Sequence, residues 1–280
     1  MQSLASVSIS VIGGGNMARS LIGGLIGSGV PPERITVAAP NPATCEALVH
    51  DFHVNVTQDN GAAARAGQVV VLAVKPQQMA VVARALAGDL SHGPLVISVA
   101  AGIRIAHLAS WLHGTGSDVV RAMPNRPALI GAGACGLYAD ATVGAAARAL
   151  TEAVLGSLGI CLWVHSEAEL DIVTALSGSG PAYFFLLAEL MAKNAVAQGL
   201  DRTVAYRLAA QTLAGAGRMV NPEMQPDLVR MCAEVASRGG TTEAAFKVFN
   251  EKDLASVLRA AQDAARQRSQ ELGEQFGGDA

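Results

Sequence analysis

A turn of small and hydroxyl-bearing residues in the second half of the chain is the first place where chemistry could occur. Residues 237–242 read Ser-Arg-Gly-Gly-Thr-Thr and precede a helical stretch. Backbone N–H groups at the start of a helix have no partner within the helix, and the helix dipole places partial positive charge there. The glycines leave these N–H groups accessible, and the threonine hydroxyls add donors. The turn predicts a pocket for a small carboxylate, with an ordinary helix cap as the alternative.

A second turn, near the start of the chain, has the spacing of a phosphate-binding loop. A β-branched run at residues 7–12 leads into a Gly-x-Gly-x-x-Ala pattern, which opens a helix over residues 17–26. Gly13 would permit the tight turn, Gly15 would let the backbone approach a pyrophosphate, and Ala18 would let helix and strand pack closely. The preceding strand and following helix favour a dinucleotide site over a glycine turn without a ligand.

The end of the second predicted strand bears on the choice between NADP(H) and NAD(H). An acidic residue that binds the adenosine ribose is expected about 20 residues beyond the glycines. This sequence has Asn41 there, between two prolines, and no carboxylate; Glu33 precedes the strand. Because an acid would repel a 2′-phosphate, its absence favours NADP(H), with NAD(H) also possible, although no arginine is there to bind that phosphate. We expect Asn41 to contact the cofactor.

Two further segments follow predicted strands at the edge of the sheet where α/β proteins bind ligands. Residues 73–76 read Ala-Val-Lys-Pro, and residues 98–102 read Ser-Val-Ala-Ala-Gly. Lys75 at this edge would suit a ribose or phosphate of the cofactor, with a solvated loop lysine as the alternative.

These segments belong to a first half that alternates β-branched runs with alanine-rich helical stretches. We predict strands at residues 7–12, 35–39, 69–74, 95–99 and 119–123. The intervening segments are long enough for crossover helices, so the pattern predicts an α/β fold with a parallel sheet covered on both faces. After residue 164 the β-branched runs stop. We therefore predict a dinucleotide-binding domain over residues 1–165 and a helical domain over residues 166–276.

Proline, glycine and capping residues bound the helices of the second half. We predict a helix from Pro181 to residue 198 that ends at Gly199, and a helix capped by Asp201 that ends near residue 220. Pro222 and Pro226 break the chain. Three more helices are predicted: one ending near residue 236, one beginning at 241, and one over 253–275, before a frayed tail.

Residues 182–188 of the Pro181 helix are apolar on every side. A small domain covers only one face of such a helix, so something must pack around it. We expect a homodimer whose helical domains interleave; the alternative is a central helix in a self-contained bundle.

Composition excludes several other functions. The 280 residues are 51% hydrophobic, which supports a large core, and a net charge of −3 with 4% aromatic residues argues against nucleic-acid binding. Four cysteines without a Cys-x-x-Cys pair give no support for a metal site. The chain begins without a charged leader, and no apolar run approaches the roughly 18 residues needed to span a bilayer. We therefore expect a cytoplasmic protein that does not bind a membrane.

In this order the motifs resemble those of the Δ1-pyrroline-5-carboxylate reductase family. The resemblance covers nearly the whole chain and depends on residues 12–17, 73–76, 100–102, 121–127, 176–183 and 237–242. It implies a Rossmann-type doubly wound parallel sheet that binds NAD(P)H, followed by an all-helical dimerisation domain, with dimers that often assemble into larger rings. It also implies reduction of the C=N bond of Δ1-pyrroline-5-carboxylate to L-proline, the last step of proline biosynthesis.

The resemblance implies roles for individual residues. The substrate carboxylate would bind the backbone at Thr241 and Thr242, with the Thr242 hydroxyl near the ring nitrogen and Glu167 near the substrate. Ser237, Gly239 and Gly240 would shape the turn. Arg238 departs from the family, which usually has proline there, so the loop could be less rigid or carry an additional cation. Cofactor contacts would be Gly13, Gly15, Asn16, Met17, Asn60, Ala73, Lys75, Pro76 and Ala100.

The reaction needs the hydride donor and acceptor about 3 to 3.5 Å apart, so positioning dominates and a dedicated general acid is optional. Thr242 is the one catalytic residue we expect. A related two-domain β-hydroxyacid dehydrogenase or an imine reductase is the alternative enzyme; the former usually needs a lysine, for which Lys193 is the candidate. A non-catalytic dinucleotide sensor is a third possibility, but it would not need a second anion pocket.

Overall fold

The computed structural model describes residues 4–220 and 226–277, so the predicted break at Pro222 and the tail beyond residue 277 lie outside the described residues. Over the described ranges the strands are β1 (Ile9–Ile12), β2 (Ile35–Ala38), β3 (Asn55–Thr57), β4 (Val69–Leu72), β5 (Leu95–Ser98), β6 (Val119–Met123), β7 (Gly133–Tyr138) and β8 (Gly159–Trp163). The helices are α1 (Asn16–Gly27), α2 (Pro42–Phe52), α3 (Asn60–Ala66), α4 (Pro76–Leu86), α5 (Ile105–Trp111), α6 (Ala145–Leu155), α7 (Glu169–Val173), α8 (Gly180–Ala197), α9 (Arg202–Met219), α10 (Leu228–Val235), α11 (Thr241–Glu251) and α12 (Leu254–Gly277).

The described residues form two compact units. The first contains the residues up to Ser179 together with those from Ala265 onward, and the second contains residues 180–264. The first unit therefore extends beyond residue 165 and includes the C-terminal part of α12. Compactness within one chain does not identify a domain that folds independently, so the ranges 1–165 and 166–276 stay a prediction.

One eight-stranded sheet organises the first unit, in the order β3-β2-β1-β4-β5-β6-β7-β8. The five predicted strands are confirmed with their ends displaced by at most two residues, since β1 begins at Ile9 and β4 ends at Leu72. Every residue of β1, β4 and β5 is buried. One hydrophobic cluster contains Val11 and Val71, and another contains Ile12 and Leu72. Because adjacent residues of a strand point to opposite faces, both faces of the sheet are covered, as the continuous apolar runs predicted.

The sheet departs from the prediction at β7, which pairs antiparallel with β6, whereas the other neighbouring strands are parallel. The connection from β6 to β7 contains only a short 3-10 helix, Arg126–Ile130. A parallel pairing needs a crossover of a dozen or more residues, which this connection does not provide. The prediction of a parallel sheet is therefore correct for β1 to β6, and the whole sheet is mixed because of β7.

In the second unit, helix ends follow the predicted punctuation. Gly199, with φ +100°, follows the end of α8. Asp201 caps α9 because its side chain accepts a hydrogen bond from the backbone N–H of Val204 at 3.1 Å. Within the single chain α8 is not the centre of a bundle, since Phe184, Phe185 and Leu186 are each about 60% exposed. The alternative prediction, in which α8 is the central helix of a self-contained bundle, is therefore wrong for the single chain.

The helical stretch Glu169–Ala197 is, at 29 residues, long and apolar enough to cross a membrane by length and composition, with 22% of its most apolar window buried. The expectation of no membrane span concerned uninterrupted apolar runs of roughly 18 residues. This stretch meets a criterion of mean hydropathy instead, because a few polar residues spaced along a helix lower the mean only slightly. An apolar helix at a subunit interface meets the same criterion.

Candidate active site

The turn after β1 has the geometry expected of a dinucleotide cradle. Gly13 has φ +115°, and its N–H donates to the carbonyl of Ala38 at 2.8 Å. A Cβ on Gly13 would lie 2.6 Å from the carbonyl oxygen of Ala73, so only glycine fits there. Gly15 precedes α1, and a Cβ on it would meet no atom within 4 Å. Ala18 lies in the first turn of α1 and is buried in the core. Each of these residues has the environment that its predicted role requires.

The other predicted cofactor residues follow neighbouring parallel strands, whose carboxyl ends share one edge of the sheet. Asn41 follows β2 and caps α2, because its Oδ1 accepts from the N–H of Ala43 at 2.9 Å. Asn60 begins α3 after β3. Lys75 is exposed and immediately precedes Pro76 at the start of α4. The remaining ones, Asn16 and Met17 after β1, Ala73 after β4 and Ala100 after β5, complete this edge.

These residues fit a pyridine dinucleotide. The residue at the cap position of α1 is Gly15, which has no side chain that could bond the N–H groups of the first turn. These N–H groups can therefore bind a pyrophosphate. The amide of Asn41 and the ammonium group of Lys75 stand where ribose and phosphate groups would be held. Glu33 lies in the 3-10 helix Pro32–Arg34 before β2, at the opposite end of that strand from Asn41.

Glu167 forms an ion pair with a buried arginine, which sequence reasoning did not find. Its Oε1 accepts from Nη1 of Arg121 at 2.7 Å and from the backbone N–H of Ile105 at 2.6 Å. The Arg121 side chain is 6% exposed, and this burial lowers its pKa, while the hydrogen bond to Glu167 acts in the opposite direction. Glu167 therefore stabilises a buried cation within the first unit, in addition to any contact with a substrate.

A second carboxylate on the same segment, Asp171, binds a second arginine. Its Oδ2 accepts from Nη2 of Arg104 at 2.9 Å, and its Oδ1 accepts from Oγ of Ser269 at 2.7 Å. The available signal was this pair of acids four residues apart, with Glu167 in the turn before α7 and Asp171 within that helix. The arginine partners could not be identified from sequence because 46 and 67 positions separate them from the acids.

The serine-glycine stretch at residues 176–183 begins in a π-helical turn, Thr174–Gly178. Nδ2 of Asn125 donates to the carbonyl of Ser177 at 2.9 Å, and Oδ1 of Asn125 accepts from the N–H of Ala134 at 2.9 Å. Single π-turns within helices occur frequently at functional sites. Asn125 thus joins this turn to β7, an arrangement that the motif at residues 121–127 did not reveal by itself.

The residues of the predicted carboxylate pocket lie together in the second unit, in the turn that leads into α11. Gly239 has φ +71°, and the N–H of Gly240 donates to the carbonyl of Ser237 at 2.9 Å, which closes the turn. Thr241 is exposed and Thr242 is half-buried. The N–H groups of both threonines are in the first turn, where helix geometry provides no acceptor. They can therefore bind an external anion.

The side chain of Glu243 also stabilises this turn, a role that sequence reasoning missed. Its Oε2 accepts from the N–H of Gly239 at 2.6 Å. A glutamate three residues after the capping position is the spacing of a capping box, so the signal was present in the sequence. The bond fixes the turn without using the N–H groups of Thr241 and Thr242.

Lys193, the candidate lysine of the alternative enzyme, lies on α8 and is 62% exposed. Its Nζ is 3.0 Å from Oε1 of Glu189, and this hydrogen bond raises the pKa of Lys193. The ammonium form is therefore favoured, which suits a surface ion pair better than proton transfer.

Comparisons with known proteins agree with this arrangement. The family described as pyrroline-5-carboxylate reductase dimerisation matches residues 167–272, and the family described as NADP oxidoreductase, coenzyme F420-dependent, matches residues 8–102. A pyrroline-5-carboxylate reductase of Pseudomonas aeruginosa is 46% identical over 270 residues, which cover 96% of this chain and 98% of that protein.

Solved structures give the same result. A pyrroline-5-carboxylate reductase from Coxiella burnetii is 41% identical, with a TM-score of 0.90 and coverage of 95% of this chain and 98% of that one. The NADP-bound pyrroline carboxylate reductase of Plasmodium falciparum is 26% identical, with a TM-score of 0.81 and coverage of 96% and 99%. The chain therefore belongs to the pyrroline-5-carboxylate reductase family of oxidoreductases.

Proposed function

We propose that this protein reduces the C=N bond of Δ1-pyrroline-5-carboxylate to give L-proline, with the first unit holding the dinucleotide and the start of α11 holding the substrate. The observation that carries the proposal is the pair of unpartnered N–H groups at Thr241 and Thr242 beside a half-buried hydroxyl. A chain that only sensed a dinucleotide would not need this second anion pocket.

The substrate carboxylate binds the N–H groups of Thr241 and Thr242. Each charge-assisted hydrogen bond contributes about 1.5 to 3 kcal/mol, and two of them orient the ring. The bond between Glu243 and Gly239 keeps the turn in the required conformation before the substrate arrives. Arg238, exposed in the same turn, adds a positive charge to the approach of the anion. Glu167 remains a proposed neighbour of the substrate.

Thr242 is proposed to act on the substrate nitrogen. Its hydroxyl can donate a hydrogen bond to the imine nitrogen or accept one from the iminium form, and either bond holds the C=N group in place. The reduced nicotinamide, when bound, supplies the hydride for the ring carbon. The protein needs no strong acid, because the iminium is the better hydride acceptor and forms before transfer. Positioning by Thr241 and Thr242 then accounts for most of the rate enhancement.

The cofactor is proposed to be NADP(H) in preference to NAD(H). The support is the neutral Asn41 after β2, where an acidic side chain would repel a 2′-phosphate, and the location of Glu33 before that strand. The proposed contacts are the residues gathered at the carboxyl edge of the sheet, from Gly13 to Ala100.

Self-association as a homodimer is proposed to cover the apolar side chains of α8. Several large apolar side chains of α8 are at least 50% exposed in the single chain: Phe184, Phe185, Leu187 and Leu190. Exposing this much apolar surface to water is unfavourable in free energy. A partner subunit removes that cost without lipid, so no membrane is required. Assembly of dimers into a ring, a cytoplasmic location and the absence of a nucleic-acid partner remain part of the same proposal.

The test follows oxidation of NADPH and of NADH at the reduced-nicotinamide absorbance band after Δ1-pyrroline-5-carboxylate is added. A matched substrate, Δ1-pyrroline without the carboxylate, isolates the role of the α11 turn. We expect kcat/KM to fall at least 100-fold without the carboxylate, since two charge-assisted bonds are lost. Equal rates with the two imines would exclude the turn as the substrate site. No oxidation with either cofactor would favour the non-catalytic alternative.

A further inference from the structure

Three contacts hold the β5–α5 loop, which we define as residues 99–104. The backbone of Gly102 packs against Leu272 of α12, Arg104 pairs with Asp171 at 2.9 Å, and the N–H of Ile105, the next residue, donates to Glu167 at 2.6 Å. Ala100, a proposed cofactor contact, lies within this loop. The C-terminal side of the loop is thus held by Glu167, by Asp171 of α7 and by the C-terminal part of α12, which all belong to the first unit.

Ser269 is the residue of α12 that secures the second of these contacts. Its Oγ donates to Oδ1 of Asp171 at 2.7 Å, while Oδ2 of the same carboxylate binds Arg104. Asp171 is 1% exposed and Ser269 is 5% exposed. A buried carboxylate needs its partners to offset the cost of desolvation, so loss of the Ser269 hydroxyl shifts Asp171 and, through it, Arg104.

The end of α12 also touches the loop directly. A Cβ on Gly273 would lie 3.2 Å from Nε of Arg104 and 3.2 Å from the carbonyl oxygen of Gly102. A Cβ on Gly102, which has φ +78°, would lie 3.3 Å from the carbonyl carbon of Leu272. Helix and loop therefore approach backbone to backbone, and neither can move by a few tenths of an ångström without displacing the other.

We propose that the C-terminal part of α12 positions the β5–α5 loop for the dinucleotide, with Ser269 and Gly273 as positioning residues. Neither residue touches the cofactor; they act through Arg104 and Gly102. The inference rests on the proposed cofactor site, because it takes Ala100 as part of that site. It assigns to the last helix an effect on dinucleotide affinity, in addition to its place in the fold.

The first test compares Ser269→Ala with Gln267→Ala. Gln267 is an exposed neighbour on α12, and its Nε2 donates to Oε1 of Glu271 at 3.1 Å. We expect Ser269→Ala to raise the Kd for NADPH about threefold to tenfold, the equivalent of one hydrogen bond. The KM for Δ1-pyrroline-5-carboxylate should stay unchanged, and Ser269→Thr should restore the Kd because it keeps the hydroxyl. Gln267→Ala should leave both constants unchanged.

The second test separates positioning from a purely structural role. Gly273→Ala should favour the helix, because alanine is the better helix former, and yet weaken NADPH binding, because the new Cβ pushes Gly102 and Arg104. Gly215→Ala in α9, where a Cβ would meet nothing within 4 Å, should share only the gain in helix propensity. A Gly273→Ala variant that binds NADPH as tightly as the wild type would overturn the inference.

Hydrogen exchange of residues 98–105 distinguishes failure of this inference from failure of the cofactor site. NADPH should slow exchange of this segment in the wild type, and Ser269→Ala should speed it without NADPH. If NADPH protects the segment while Ser269→Ala changes neither exchange nor Kd, the role of α12 is wrong and the cofactor site stands. If NADPH binds and the segment is not protected, the assignment of Ala100 is wrong and the inference falls with it.

Discussion

The carbonyl oxygen of Ala73 occupies the space that a side chain on Gly13 would need, since a Cβ there would lie 2.6 Å from it. The contact joins the turn after β1 to the segment after β4, and the N–H of Ala73 donates to Ile12 at 2.8 Å in the same place. Two segments of the proposed cofactor site therefore share one backbone contact. The glycine at position 13 is required by the protein's own packing, whereas the glycine at position 15 faces open space.

This difference predicts that alanine at position 13 lowers stability, whereas alanine at position 15 weakens NADPH binding. Gly13→Ala should lower the free energy of unfolding by about 1–3 kcal/mol, because φ +115° and the clash with Ala73 both strain an alanine. Gly15→Ala should leave stability unchanged, because Gly15 has φ −77°, which alanine adopts readily. It should nevertheless weaken NADPH binding, since its methyl group stands where the pyrophosphate approaches. Urea unfolding and NADPH titration measure the two effects.

Tight NADPH binding by Gly15→Ala would contradict the proposed approach of the pyrophosphate. Unchanged unfolding of Gly13→Ala would contradict the tight contact at Ala73.

The glycine turn was predictable because its chemistry is local: strand, turn and helix are adjacent in sequence. The same holds for Asp201, which caps α9 through a residue three positions away. β7 was not predicted, because Gly-Ala-Cys-Gly-Leu-Tyr has little β-propensity and forms a strand through pairing with β6 and β8. The pairing of Glu167 with Arg121 joins residues 46 positions apart, and only the tertiary fold determines such a partner.

That ion pair gives a prediction about stability. Glu167→Gln keeps an oxygen for the N–H of Ile105 and leaves the Arg121 side chain, 6% exposed, without its carboxylate. We expect the free energy of unfolding to fall by about 2–3 kcal/mol, less than the about 3–5 kcal/mol of a fully buried pair because Glu167 is partly exposed. Glu271→Gln, which removes an exposed partner of Arg268, should lower the free energy of unfolding far less, because solvent screens an exposed ion pair. Equal losses in urea unfolding would show that burial of Arg121 is not the cause.

Two free cysteines on neighbouring strands should differ in reactivity. Cys135 of β7 lies opposite Cys161 of β8 in the sheet, and the interaction of the two neighbouring thiols raises the pKa of Cys135 and lowers that of Cys161. Burial raises the pKa of Cys135 further. Since the thiolate is the nucleophile, iodoacetamide should modify half-buried Cys161 at lower pH than the same cysteine in unfolded protein, and Cys135 only at higher pH.

Peptide mass mapping across a pH series measures this order. Cys135→Ala removes the neighbouring thiol and should shift modification of Cys161 to higher pH. A profile for Cys161 that does not change in this variant would rule out the thiol pair as the cause.

Thr242 is the residue on which the proposed chemistry depends most. Thr242→Ala removes the hydroxyl and keeps the backbone N–H, so kcat/KM should fall by one to two orders of magnitude, about 1.4 to 2.7 kcal/mol. Thr241→Ala is the matched control, because the exposed Thr241 contributes its N–H to the substrate and not its side chain. Steady-state kinetics with saturating NADPH measure both. Similar kcat/KM values for the two variants would remove the Thr242 hydroxyl from the mechanism.

The preference for NADPH over NADH should depend on Asn41. In Asn41→Asp the new carboxylate can still accept from the N–H of Ala43, so the cap of α2 and the stability are retained. The same carboxylate would bind the ribose 2′-hydroxyl of NADH and repel the 2′-phosphate of NADPH. We expect the ratio of kcat/KM for NADPH to that for NADH to exceed one in the wild type and to fall at least tenfold in the variant, about 1.4 kcal/mol. A ratio that does not change would place the adenosine ribose away from Asn41, and a wild type that favours NADH would reverse the proposed preference.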